Sequence, residues 1–472
     1  MEILHVSAEC YPVAKAGGLG DVVGALPKYQ RLLGHVAKVV MPMYRTKFLY
    51  DNQWEVVHKG GASLGNMWFE YTVIKEKTNK LEFDLYLVDI NGLLDREKIY
   101  GYDDDSERFT SFQIAVVDWV ASWRHRPDVV HVHDHHTALI PFMMQSCYDY
   151  QQLKTIPTVL TIHNAQYQGW MGWDKTNYIP HWDGWKWGNL DWKDNINPLA
   201  SGIKCAWKVT TVSWSYLDEL KYMSNGLEAL FEFEKGKCVG ILNGIDTKVW
   251  DPETDSYLED HFSLKTLEEG KQANKERLCH AFNLDPSVPL IVFIGRLVGE
   301  KAADLLPQAI GDSLYYIGRR MNFLVLGSGE PYIENQLSHM TGMLMGYFNS
   351  RIGYNEKLSH EMYAGADFLL MPSRVEPCGL NQMYAMRYGT VPIVRRTGGL
   401  KDTVKDYGET GGYGVCFNND AVGDITHAIY RAVHLYEQKE KMAPIRRQIM
   451  QLDYSWYVSA QQYMDVYESL IK

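Results

Sequence analysis

Residues 14–28 read AKAGGLGDVVGALPK and follow the short apolar run ILHVSAE at residues 3–9. A strand that gives way to a glycine-rich turn and then to a helix-forming run opens a βα unit. The turn nevertheless fails the two commonest phosphate signatures. No Gly-Lys-Ser/Thr ends it, so it is not a Walker-type loop. Gly18 and Gly20 begin a G-x-G-x-x-G, but Val23 stands in the third place and Gly24 comes one residue late. A dinucleotide turn also starts where its strand stops, and the connection from Val6 to Gly18 is too long for that. Asp21, in the first helical turn, suits the helix dipole but repels a pyrophosphate. Lys15 and the amides of Gly17 and Gly18 remain, which suits one phosphate edge and sugar hydroxyls better than a dinucleotide.

Outward from this unit the same rhythm repeats. EFDLYLVD, PDVVHVH, PTVLTIH and KVTTVS read as further strands in the first half, and PLIVFIGR, NFLVLGSG, ADFLLMPS and TVPIVRR restart the pattern in the second. Strands alternating with helices predict parallel sheets, and ligands of such sheets gather at the carboxyl ends of the strands. With 472 residues the chain exceeds one ordinary core, so two domains are expected. Asn-Gly and Asp-Pro signals in GILNGIDTKVWDPETD place the boundary near Asn243. The helical pattern from about Ser455 onward reads as a segment crossing back to brace the first domain.

Composition narrows the function. A formal charge of −11 disfavours nucleic acid and anionic membrane as partners. No charged-then-apolar leader opens the sequence, and no apolar run approaches the roughly 20 residues a bilayer span needs. Seven single cysteines without a C-x-x-C read as reduced thiols, so a cytoplasmic location is expected.

Polar residues at the strand ends are the candidates for chemistry. VVHVHDHHT carries His131, His133, Asp134, His135 and His136. Strand neighbours point to opposite faces and no H-E-x-x-H spacing occurs, so hydrogen bonding rather than a metal site is expected. His163 and Asn164 end the next strand. Arg296 and Lys301 lie around a strand-to-helix turn and form a candidate diphosphate clamp at a helix start. Glu376 precedes a helix expected near Gly379 and is suited to sugar hydroxyls or to positive charge on a sugar ring. Trp170, Trp173, Trp182, Trp185, Trp187 and Trp192 crowd a polar segment, either as sugar-stacking faces or as packing beneath a long loop. GGLxDxV occurs twice, at Gly17–Val23 and Gly398–Val404, either by chance or as two similar walls facing one cleft.

In order and spacing, KAGGLGDVVGALPK, RPDVVHVHDHH, TIHNAQYQG, GILNGIDTKVWDPETD, GRLVGEKAADLL, SRVEPCGLNQ and YGTVPIVRRTGGLKDTV resemble the motifs of bacterial glycogen (starch) synthases, nearly end to end. These are retaining glucosyltransferases. The resemblance implies an α/β fold with two Rossmann-like domains of the GT-B type facing a deep interdomain cleft. Residues 1–242 would form the acceptor-side domain with the Trp-rich insertion, 243–454 the nucleotide-sugar domain, and 455–472 the returning helix. It implies transfer of glucose from ADP-glucose, with UDP-glucose as the open alternative, to the non-reducing end of an α-1,4-glucan such as glycogen. No metal and no organic cofactor is implied.

By position in the motifs, Lys15 and Gly18 reach the donor phosphates with Asp21 beside them. Asp134, His163 and Asn164 match residues around the transferred glucose and the attacking hydroxyl, and Asn243 faces the same cleft. Arg296 and Lys301 match the pair that neutralises the departing diphosphate. Glu376, Cys378 and Gly379 match the loop on the glucose hydroxyls, Tyr354 an aromatic near the nucleotide, and Asn381 a position close to the donor phosphates. The chain departs from the pattern at Ala16 (usually Thr), His135 (commonly Trp), Ala302 (Gly) and Asn381 (Thr). Tyr384 stands where related transferases often carry a second Glu, so a two-carboxylate displacement is not assigned. A different acceptor, a nucleotide-sugar epimerase and a glucan-binding protein without turnover are the rival readings.

Overall fold

The computed structural model describes residues 1–471 and divides them into two compact α/β units. One comprises Met1–Asn243 with the C-terminal segment from Trp456, the other Gly244–Ser455.

The first unit is built on a nine-stranded sheet. Its strands are β1 (Glu2–Val6), β2 (Val36–Pro42), β3 (Trp54–Leu64), β4 (Met67–Glu76), β5 (Asp84–Asp89), β6 (Val129–His133), β7 (Thr158–Ile162), β10 (Lys208–Thr211) and β11 (Cys238–Gly240). A separate hairpin joins β8 (Asp191–Trp192) to β9 (Asn195–Ile196). The spatial order is β11-β10-β7-β6-β1-β2-β5-β4-β3. β6 and β7 are buried at every residue, as expected of central strands covered on both faces.

The sheet is mixed where parallel strands alone were expected. β4 runs antiparallel to both β3 and β5. The polar, glycine-containing run WEVVHKGGASL hides β3, because its glycines serve cross-strand packing. A Cβ on Gly60 would lie 2.5 Å from the Tyr71 ring, and one on Gly61 would lie 2.3 Å from Trp68.

The helix that follows β1, Gly18–Leu32, contains Pro27, which leaves the carbonyl of Val23 without its helical donor. The Cys10 thiol donates to that carbonyl at 3.6 Å. Against this helix packs Trp456–Ile471, whose Trp456, Ala460, Tyr463, Met464 and Tyr467 form one buried stripe at helical spacing.

The second unit carries six parallel strands: β12 (Leu290–Ile294), β13 (Asn322–Gly327), β14 (Phe348–Ile352), β15 (Phe368–Met371), β16 (Val391–Arg395) and β17 (Val415–Phe417). Their order, β14-β13-β12-β15-β16-β17, reverses direction at β12 and β15, the place where such sheets bind ligands. Separate apolar clusters contribute to its core, one including Ile291, Phe293 and Phe323, the other Leu290, Val292 and Leu324. Among the described residues no helix is long and apolar enough to cross a membrane.

Met464 is fully buried in the helix stripe. Met464→Ala is therefore expected to lower stability by about 2–5 kcal/mol, measured by urea denaturation with circular dichroism. A loss below about 0.5 kcal/mol, the ordinary effect of a surface change, would contradict this packing.

Candidate active site

In the first unit the loop between β1 and its helix is held from beneath by Glu9, a residue the motif reading passed over. Glu9 is buried, and its Oε2 accepts from the amides of Ala16 at 2.7 Å and Gly17 at 3.0 Å. The Tyr100 hydroxyl donates to Oε1 at 2.6 Å. The Gly17 amide, expected to face a ligand, is therefore engaged by the protein.

The glycines of the loop divide by role. A Cβ on Gly17 or Gly18 would meet no atom within 4 Å, so the space above them is open. On Gly20 it would touch Lys15 at 3.1 Å, and on Gly24 it would lie 2.5 Å from the Tyr11 carbonyl. The first pair leaves room beside the backbone, and the second pair lets the helix pack. Lys15 and Asp21 form an ion pair at 2.7 Å, so the aspartate does not stand alone at the helix start.

Asp134 leaves the end of β6 at φ 57° and ψ −176°, a region that is essentially glycine-only and costs about 1–3 kcal/mol. The turn points its carboxylate at the end of β7. There Oδ1 accepts from the His163 amide at 2.7 Å and sits 3.5 Å from that of Asn164. Burial pushes the carboxyl up to about 7, against the opposing pull of these amides. Asn164 caps its own turn by accepting from the Gln166 amide at 2.9 Å. His163 is neutral, its imidazole pushed down to about 3 by burial. Asn243, at the end of this unit, is buried, and its Oδ1 has no partner among the described residues.

The histidine-rich run separates by face. His131 and His133 point to one side with His5, and ligand nitrogens of the three lie within 4.8 Å of one another. All six of their ring nitrogens are engaged in hydrogen bonds to protein groups. A metal would have to displace those bonds. His135 lies tilted against His136, ring centroids 3.7 Å apart, and fills the space over Gly169, where a Cβ would lie 2.6 Å from its ring.

The Trp-rich segment splits in two. Trp173 donates to Asp191 and Trp192 to the Gly226 carbonyl, both at 2.9 Å, and Trp182 packs edge-on against Phe142. Trp170, Trp185 and Trp187 are exposed, Trp185 at 93%.

In the second unit Lys301 and Glu376 meet. Lys301 Nζ lies 2.7 and 2.6 Å from the two Glu376 oxygens, and the Ser373 hydroxyl donates to Oε2 at 2.8 Å. Glu376 is buried, so the pair is largely withdrawn from water. The expected helix starts are displaced: Lys301 ends a single 3-10 turn, Gly299–Lys301, and the α-helix begins at Leu306. Likewise the helix after Glu376 begins at Asn381 rather than Gly379. Arg296 is exposed and pairs with Glu300 at 3.1 Å.

The Glu376 loop is clamped by the second GGLxDxV copy. The Gly399 amide donates to the Glu376 carbonyl at 3.0 Å, and a Cβ on Gly398 or Gly399 would lie 1.9 or 2.0 Å from loop carbonyls. Gly379 adopts φ +74°, a left-handed conformation that suits glycine. Cys378 is buried. Asn381 donates to the Ile294 carbonyl at 2.7 Å, tying this loop to the end of β12. The exposed Tyr354 bonds Glu356 through its hydroxyl. Tyr384 stacks on Trp250 at 3.8 Å, so an aromatic stack occupies the place of the second carboxylate.

Comparison with known proteins bears on what these residues serve. The starch synthase catalytic domain family matches residues 2–233, and the glycosyl transferases group 1 family matches residues 274–448. A glycogen synthase of Flavobacterium johnsoniae is 53% identical over 472 residues, covering all of both chains. The chain belongs to the glycogen synthase family. It is a glucosyltransferase. A solved structure of the same family, the catalytic domain of starch synthase IV from Arabidopsis thaliana bound to ADP and acarbose, matches with a TM-score of 0.87 at 30% identity and 99% of each chain. A sucrose-phosphate synthase from Thermosynechococcus elongatus shares the fold, with a TM-score of 0.64 at 16% identity over 99% of this chain and 98% of its own.

Asp134 generates a pH prediction. Its carboxyl, near 3.8 in the unfolded chain and about 7 when folded, holds a proton in the native state that the unfolded state releases. Its contribution to stability is full below about pH 4 and is lost as pH rises through about 7. In Asp134→Asn that slope is absent, so wild type should lose stability relative to the variant from about pH 5 to about pH 8. Urea midpoints at both pH values check this, and parallel curves contradict it.

Proposed function

We propose that this glucosyltransferase moves glucose from ADP-glucose to the non-reducing end of an α-1,4-glucan with retention of configuration, lengthening glycogen chains. The observation that carries the reading is the convergence of Lys301, Glu376 and Ser373 at the ends of β12 and β15, with Arg296 on the same loop as Lys301. A buried carboxylate holding a lysine fixes an ammonium group in place, and an incoming diphosphate can draw on its N–H donors. ADP in the starch synthase IV structure favours the adenine nucleotide as carrier, and acarbose in the same structure favours a glucan acceptor.

In the proposed reaction the bond from C1 to the diphosphate oxygen breaks while the acceptor hydroxyl forms its bond to C1 on the same face. The acceptor proton passes to a diphosphate oxygen. In the second unit Arg296 and Lys301 stabilise the charge that grows on the diphosphate and Glu376 supports positive charge at C1, a role for which the groups near Asp134 and His163 of the first unit are also suited. Both Glu376 oxygens already bond Lys301, and Tyr384 replaces a second carboxylate, which argues against a covalent glycosyl-enzyme. Lys15 and the open space over Gly17 and Gly18 suit a donor hydroxyl or phosphate edge. The exposed Trp170, Trp185 and Trp187 suit glucan stacking. Seven cysteines, all buried, are consistent with a reducing cytoplasm.

Incubation with ADP-glucose and glycogen should release ADP and extend chains in step. Donor consumption without acceptor would indicate an epimerase, and glycogen binding without ADP release a binding protein. Arg296→Ala and Lys301→Ala are each expected to lower turnover by about 100-fold, the usual cost of losing one charge-stabilising donor. Wild-type turnover in either variant contradicts the clamp.

A further inference from the structure

Parallel pairing in the first unit aligns His5 with His131 and sets Thr161 beside His133 and Thr210. Side chains two apart share a face, so these residues form one polar seam in an otherwise apolar layer. The seam is sealed by Gln30 from the helix after β1 and by Tyr467 from the C-terminal helix, both wholly buried. Every member lies within hydrogen-bond distance of the next. His163 Nε2 is 3.0 Å from His133 Nδ1, His133 Nε2 is 3.1 Å from His5 Nδ1, and His5 Nε2 is 2.7 Å from Gln30 Oε1. Gln30 Nε2 donates to the Tyr467 hydroxyl at 3.1 Å. That hydroxyl is 2.6 Å from His131 Nδ1, whose Nε2 is 2.6 Å from Thr161 Oγ1, itself 2.6 Å from Thr210 Oγ1.

Such a chain has a direction. Each neutral imidazole donates from one nitrogen and accepts at the other, so one member's orientation sets all the rest. Two polarities satisfy the geometry. The Gln30 amide, with its oxygen on His5 and its nitrogen on Tyr467, selects one: His163 donates to His133, His133 to His5, His5 to Gln30, Gln30 to Tyr467, and Tyr467 to His131. Burial keeps the imidazoles neutral, pushing His5 down to about 4 and holding His131 and His133 well below their usual range.

We propose that this chain is a positioning device for glucosyl transfer: Gln30 and Tyr467 lock His163 as its Nε2–H tautomer and leave the Nδ1 lone pair as the acceptor offered to the sugar. Among the described residues Nδ1 has no partner. The inference rests on the proposed function in placing the transferred glucose at His163. A lone pair there receives a sugar hydroxyl proton and lies favourably for positive charge growing at C1, whereas an N–H would oppose that charge. Tyr467 touches no substrate in this account. It acts through four intervening hydrogen bonds, and the C-terminal helix thereby has a task beyond packing.

The test is nitrogen-15 NMR of the histidine-labelled full chain, paired with kinetics of Tyr467→Phe. In the wild type, His163, His133, His5 and His131 should all show Nε2–H tautomers. An Nδ1–H on His163, or fast averaging of both forms, overturns the proposal before any variant is made. In Tyr467→Phe the Gln30 amide loses its acceptor and His131 its donor, so the polarity is no longer selected. His163 should then populate both tautomers, with kcat down about tenfold and KM for ADP-glucose within about twofold, as for an interaction made only in the transition state. Wild-type kcat with an unchanged tautomer in a folded variant overturns the role of Tyr467. If the variant fails to fold, Gln30→Met breaks the same chain at the His5–Gln30 bond, with the same outcomes expected. The wild-type spectrum needs no substrate, so absence of glucose transfer would remove the functional reading while leaving the tautomer claim decided on its own.

Discussion

Parallel strand pairing is the constraint on which both units depend. It brings the carboxyl ends of β1, β6, β7 and β10 to one edge of the first sheet, and those of β12 and β15 to one edge of the second. Residues far apart in sequence are thereby delivered to the same place without any local signal linking them. Asp134 reaches the amides after β7 because β6 and β7 are neighbours in register. Lys301 reaches Glu376 because β12 lies beside β15. A strained backbone at Asp134 and a carboxylate withdrawn from water at Glu376 each cost stability, and the surrounding sheets hold them in place.

The glycine-rich loops show how a repeated motif can be put to two uses. In the first unit Gly17 and Gly18 open a helix under clear space, with Glu9 holding the backbone from the inner side. In the second unit Gly398 and Gly399 lie against the carbonyls of the Glu376 loop, where any side chain would collide. One copy leaves room and the other removes it. Sequence similarity between the two reports the shared strand-turn-helix geometry rather than a shared contact.

Much of the architecture was legible in sequence because its signals are local. The strand ends, the restart of the pattern at PLIVFIGR and the helical spacing from Trp456 to Tyr467 follow from apolar periodicity alone. What stayed hidden depends on partners distant in the chain. Glu9 looks like any acidic residue after a strand, and its task appears only when the loop folds back over it. The β3–β4 hairpin was masked because Gly60 and Gly61 weaken the strand pattern while Tyr71 and Trp68 cover them from across the pairing. The hydrogen bonding expected of the run HVHDHH is present at His131 and His133, yet the partners Gln30 and Tyr467 that complete the network sit on helices at opposite ends of the chain. The six tryptophans could not be sorted by sequence, since exposed and half-buried rings are interspersed within one irregular segment.

The chemistry proposed for these residues uses charge already in place rather than a nucleophile. Lys301 is held by the buried Glu376, Arg296 is exposed nearby in sequence, and an aromatic stack stands where a second carboxylate would be needed for double displacement. The most direct test of its first requirement, retention of configuration, is the stereochemical course of a single turnover. Transfer from ADP-glucose labelled with carbon-13 at C1 to a short maltooligosaccharide, followed by NMR, should yield an α-linked glucose from the first product onward. A β-linked product would contradict it, because inversion requires attack from the face opposite the diphosphate.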